Sequence, residues 1–118
     1  RAYEGLGGVL RGEVDRVLPL GGDVVLCGHS LGGALAQAAA LDLAHHSAGR
    51  LRPTVATFAG PAPGDEALAR ALADAAGPRG GLRAFNRGDP VPPLSAALPG
   101  YAHAGVPLQM ALGSRDLE

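Results

Sequence analysis

Residues 23–43, DVVLCGHSLGGALAQAAALDL, decide how this chain folds. An apolar run, DVVLC, has the character of a buried strand and breaks at Gly28, and an alanine-rich helical pattern begins at Leu31. Gly28-His29-Ser30-Leu31-Gly32 is therefore G-x-S-x-G between a predicted strand and a predicted helix, and that context says more than the five letters. A turn this sharp strains the backbone of its central residue and leaves little room beside it, which accounts for Gly28, Gly32, Gly33 and Ala34. Small neighbours let the Ser30 hydroxyl stand clear. The helix that follows aims its free N–H groups at the same spot, where the backbone N–H of Leu31 is a candidate oxyanion donor. Such a constellation suits acyl transfer. The plainer alternative is a glycine-rich turn in which Ser30 is an ordinary helix N-cap.

Working outward, the rest of the chain alternates helix and strand patterns. Residues 2–18 carry Tyr3, Leu6, Leu10, Val14, Val17 and Leu18 at three- and four-residue spacings, an amphipathic helix ended by Pro19. After the helix of residues 31–46, TVATFAG (54–60) reads as a strand, DEALARALADAAG (65–77) as a helix and LRAFN (82–86) as a third strand. Strands separated by helices predict an α/β domain with a parallel sheet of about three strands. From Asp89 onward, prolines at 90, 92, 93, 99 and 107 stand too close together for either regular element to run far.

Composition narrows the function classes. The 118 residues suffice for one domain with its own core. Ten arginines, no lysine and eleven acids leave a net charge of -1, so no basic footprint for nucleic acid is present. The single cysteine, Cys27, lies in the apolar run and is expected to be buried. Neither a metal-ligand cluster nor a phosphate-binding glycine loop occurs, so no metal or cofactor is expected. No apolar run reaches the roughly 18 residues of a membrane span. The start RAYEGLGG lacks an initiator Met and a signal sequence, as in an internal piece of a longer protein.

A nucleophilic serine needs a base and an acid that orients it, in the chain order Ser, Asp or Glu, His on this kind of sheet. Asp65 stands where a helix N-cap belongs, with Glu66 in the first turn, and is read as structural. Asp89, directly beyond the carboxyl end of the third strand, is the better candidate acid. Among four histidines, His29 precedes the serine within the turn, and His45 and His46 end a helix. Only His103 follows Asp89.

Four stretches together resemble the class 3, or fungal-type, lipases: VVLCGHSLGGALAQAAALDL, TFAGPAPGD, FNRGDPVPPLS and YAHAG, in order across roughly residues 20–106. The resemblance implies an α/β-hydrolase fold in which Ser30 is the nucleophile, Asp89 the triad acid and the Leu31 N–H one half of the oxyanion hole. It also implies that His103 is not the base, because it matches a Y-x-H-x-G histidine outside the triad. The base is then expected beyond Glu118, on a loop after a further strand, and the second oxyanion donor and lid before residue 1. Residues 1–118 would thus be the central part of such a domain. Two departures stand out: Ala59 replaces a usual glycine and Ala62 a usual arginine.

The implied activity is hydrolysis of acylglycerols or related lipid esters, with a lipid–water interface as partner of the whole protein and an inactive isolated chain. The alternatives are a thioesterase or other acyl-transfer enzyme built on the same turn, and a non-catalytic module of the same fold. The apolar residues Val91, Leu94, Leu98, Leu108, Met110 and Leu112 are read as packing beneath a loop rather than as an acyl groove.

Overall fold

A computed structural model describes residues 3–76 and 81–111. Helix α1 (Glu4–Val17) leads through a short 3-10 turn to strand β1 (Val25–His29), and α2 (Leu31–His46) follows the Ser30 turn directly. Strand β2 (Thr54–Phe58), the two-residue β3 (Gly64–Asp65) and α3 (Glu66–Ala75) come next. The chain then forms β4 (Gly81–Asn86), a six-residue helix α4 (Val91–Ala96), the short β5 (Tyr101–Ala102) and β6 (Val106–Met110). Ala2, Gly77 and Leu112, which figure in the expectations above, lie outside the described residues.

Among the described residues the main sheet has four strands in the order β1-β2-β4-β6, all parallel, one strand more than expected. The addition is β6. It runs beside β4, with Val106 opposite Leu82 and Met110 opposite Asn86. Pro107 made VPLQM look unlike a strand, but β6 lies at the edge of the sheet, where a residue without N–H is tolerated. A second, two-stranded sheet pairs β3 with β5 antiparallel, Gly64 opposite Ala102 and Asp65 opposite Tyr101.

Helices pack on one face of the main sheet. Ala36 and Ala40 of α2 meet Val55 of β2 and Leu72 of α3, and alanine at these positions lets α2 approach the strands closely. Val14 of α1 packs with Leu43 and Leu51 in an adjoining cluster, where full burial of Leu43 stabilises by roughly 1.5–3 kcal/mol. Asp42 of α2 joins the two helices by accepting from Tyr3 Oη and from an Arg11 guanidinium nitrogen, each at 2.8 Å. Burial, with the Asp42 contact next, pushes the Tyr3 hydroxyl up to about 12.

Successive strand residues point to opposite faces, so β1 sends Leu26 inward and Val25, Cys27 and His29 to the other side. That side is open: Val25, Phe58, Leu82, Val106, Leu108 and Met110 are all exposed. The expectations that β1 is buried and that Cys27 is a core residue are therefore corrected. Cys27 is exposed because its position in the strand faces away from the helices.

Candidate functional site

The turn between β1 and α2 has the backbone that G-x-S-x-G foretold. Ser30 adopts φ 53° and ψ −125°, a left-handed conformation that costs a non-glycine residue of order 1–3 kcal/mol. It is held there from both sides. The Ser30 N–H donates to the Phe58 carbonyl at 2.9 Å, continuing the β1–β2 ladder, and the Ser30 carbonyl accepts from the Gly33 N–H at 2.9 Å. Ser30 occupies the N-cap position of α2, yet its side chain makes no capping bond, so the ordinary N-cap reading does not hold. Leu31, the first residue of α2, stands exposed beside it.

The glycines divide by what surrounds them. A Cβ at Gly28 would lie 2.1 Å from the Gly32 carbonyl oxygen, and one at Gly33 would lie 3.2 Å from both the Gly28 oxygen and Thr57 Cβ. A Cβ at Gly32 would meet nothing within 4 Å outside its own helix backbone. Lack of room therefore requires glycine at 28, presses on 33, and does not explain 32. Just past β2, Ala59 has φ 51° and donates its N–H to the Ala84 carbonyl at 2.8 Å, so the alanine found where glycine is usual carries backbone strain.

Asp89 follows β4 after a turn through Gly88, whose φ of 81° suits glycine. Its N–H reaches the Asn86 carbonyl at 3.2 Å and its Oδ1 accepts the Val91 N–H at 2.9 Å. Oδ2 has no partner among the described residues. Ser30 and Asp89 both leave the carboxyl edge of the sheet with β2 between their strands, two strand spacings or roughly 10 Å apart across the sheet. Asp65 is elsewhere: it is the N-cap of α3, accepting the Leu68 N–H at 2.9 Å, the structural role expected of it.

No histidine ring hydrogen-bonds Ser30 or Asp89 among the described residues. His46, at the end of α2, bonds Asp15 of α1 at 2.9 Å. His29 lies on the open sheet face, and His45 is exposed at the last turn of α2. His103 holds the Pro92 carbonyl at 3.0 Å through Nε2, while its Nδ1 is buried without a partner. Burial and the nearby Arg83 charge pull its pKa below the ordinary imidazole value, against a smaller opposing effect of the Pro92 bond.

Sequence reasoning missed two features. Ser95 of α4 accepts the Ala62 N–H at 2.6 Å, and Arg83 lies over the Phe85 ring at 4.6 Å with its Nε buried and unpaired. A polar residue on the inward face of β4 was the available signal for Arg83, and nothing local marked Ser95. Leu94, Leu98, Leu108 and Met110 are exposed, which corrects the expectation that they pack beneath a loop. No group of three or more metal-ligating side chains occurs among the described residues, and none of their helices is long and apolar enough to cross a membrane.

Residues 1–98 match the family model for lipase (class 3). The chain belongs to the class 3 lipase family. Among solved structures it is similar to the triacylglyceride lipase of Rhizomucor miehei, with 30% identity and a TM-score of 0.72 over 90% of this chain and 39% of that one. It is also similar to the Rhizomucor miehei lipase in its propeptide complex, at 31% identity and TM-score 0.71 over 91% of this chain and 34% of that one. The chain thus spans well under half the length of these lipases. No curated protein matches it. Family membership accounts for the parallel sheet with flanking helices.

Proposed function

We propose that the protein carrying this chain is a serine hydrolase of acylglycerols or related lipid esters, with Ser30 as nucleophile and Asp89 as triad acid. The observation that carries the reading is Ser30 itself: a strained, uncapped serine between a strand and the helix whose first N–H groups face it. The strain has a use here, since it lifts the hydroxyl off the helix end and leaves it available to a substrate. The triacylglyceride lipase likeness supports lipid esters as the substrate class.

In this mechanism a histidine takes the Ser30 proton as Oγ attacks the acyl carbonyl, forming a tetrahedral intermediate whose oxyanion accepts the Leu31 N–H. Collapse of the intermediate transfers that proton to the leaving alcohol and leaves an acyl-serine. Water, deprotonated by the same imidazole, then releases the acid and restores the hydroxyl. Asp89 is suited to orient that imidazole because Val91 fixes one carboxylate oxygen and the other is free. We assign the base to a histidine beyond Glu118: His29, His45 and His46 are misplaced for it, and the Nε2 of His103 is committed to Pro92. The second oxyanion donor and the lid are assigned to chain preceding residue 1, which makes residues 1–118 the central part of the hydrolase domain and the isolated chain inactive.

Hydrolysis of a triacylglycerol emulsion, short p-nitrophenyl esters and an acyl thioester by the whole protein, with Ser30→Ala as control, tests the reading. Ester turnover that the control loses supports it. Turnover that persists in the control removes Ser30 from the mechanism, and preference for the thioester assigns the enzyme to thioesterase chemistry instead.

A further inference from the structure

The YAHAG stretch is conspicuous in sequence, and the proposed function gives His103 within it no place in the triad. Its surroundings give it another one. The first turn of α4 is unusual: Pro92 and Pro93 have no N–H, so Val91 is the one backbone donor among its first three residues. Asp89 Oδ1 is held by that donor. The direction of the carboxylate therefore follows from where α4 begins.

A six-residue helix does not hold itself in place. Besides the Asp89 carboxylate itself, two side chains fasten α4 to its surroundings, Ser95 through the Ala62 N–H at 2.6 Å and His103 through the Pro92 carbonyl at 3.0 Å. Both ties lead to the same segment. Ala62 lies just before β3, and His103 directly follows β5, which is paired to β3 through Gly64–Ala102 and Asp65–Tyr101. The small β3–β5 sheet is thus the common anchor of both ties, and the Pro92 tie lies one residue from the donor that orients Asp89.

We propose that His103 is a positioning residue for the acid: its bond to the Pro92 carbonyl fixes the start of α4, and with it the Val91 N–H and the Asp89 carboxylate. The proposal rests on the reading of Asp89 as triad acid. Because a carbonyl only accepts, Nε2 carries the proton, and Nδ1 keeps a lone pair. A second proton would place an N–H on the buried, unpartnered Nδ1, close to the Arg83 charge. The ring is therefore held neutral, with a single donor in a fixed direction, as a strut requires.

The test compares wild type, Ser30→Ala, His103→Leu and His103→Gln in the whole protein, measuring kcat and KM on p-nitrophenyl butyrate together with thermal midpoints. Leucine fills the space without a donor, whereas glutamine extends an N–H to the position of Nε2. Displacement of a catalytic group by about an ångström costs up to roughly a hundredfold, so H103L should lose roughly ten- to a hundredfold in kcat with KM nearly unchanged. H103Q should recover most of that loss. Wild-type kcat in H103L overturns the proposal. So does H103Q as inactive as H103L while folded, the result expected of a catalytic base; should H103L fail to fold, a folded H103Q whose kcat falls by roughly a hundredfold or more from wild type overturns it. Activity persisting in S30A refutes the serine-hydrolase reading instead and leaves a distinct signature.

Discussion

A Cβ placed on Gly28 would lie 2.1 Å from the carbonyl oxygen of Gly32, so the last residues of β1 and the first turn of α2 touch backbone to backbone. This contact holds the Ser30 turn as tight as it is. Neither partner can yield, because each belongs to a regular element.

The two glycines should consequently respond in opposite ways to alanine. Gly28→Ala forces the strand and helix apart and should cost about 3 kcal/mol or more, or prevent folding. Gly32→Ala meets nothing within 4 Å and replaces a helical glycine, so it should stabilise by about 0.5–1 kcal/mol. Urea midpoints of the two variants measure the contrast. Equal destabilisation of both would show that the packing at position 28 is not what holds the turn.

The two aspartates make a second contrast. Asp65→Ala removes the cap of α3 and should cost about 1 kcal/mol while leaving activity per folded molecule intact. Asp89→Asn keeps an oxygen for the Val91 N–H and should preserve stability, but loss of the triad acid should lower kcat by up to about 10⁴-fold. An inactive Asp65→Ala beside an active Asp89→Asn would move the acid to the segment after β2.

The turn, the strands β1, β2 and β4, and the cap at Asp65 were legible because each is local: a periodicity change at Gly28, short β-branched or apolar runs, an acid ahead of a helical pattern. β6 was hidden by Pro107, whose tolerance depends on the strand being an edge, and that is a property of the sheet. Cys27 was misread for a related reason. Strand periodicity tells which residues share a face, and only the packing of helices tells which face is covered. His103 and Ser95 act across gaps of 11 and 33 residues, where no short motif reports the contact.

Ser95→Ala should leave the Ala62 N–H, at a residue only 4% exposed, without its acceptor. An unsatisfied donor there should cost about 1–3 kcal/mol by denaturant titration. A change below a few tenths would mean that solvent reaches that N–H.

His103 also gives stability a pH dependence. Its folded pKa lies below the ordinary value of 6.5, so the folded state binds the proton less readily than the unfolded one. The neutral ring's contribution is complete above 6.5 and is lost as the pH falls below that value toward the lowered folded pKa. Thermal midpoints between pH 8 and pH 5 should therefore fall further for wild type than for His103→Gln. Parallel curves would show that His103 titrates alike in both states.

The central claim, that the strained serine is the nucleophile, is tested most directly by a fluorophosphonate probe on the whole protein, with the labelled peptide mapped by mass spectrometry. The account predicts a single adduct on Ser30 that is absent from the Ser30→Ala variant. An adduct on Ser47 or Ser95, or labelling undiminished by Ser30→Ala, would contradict it.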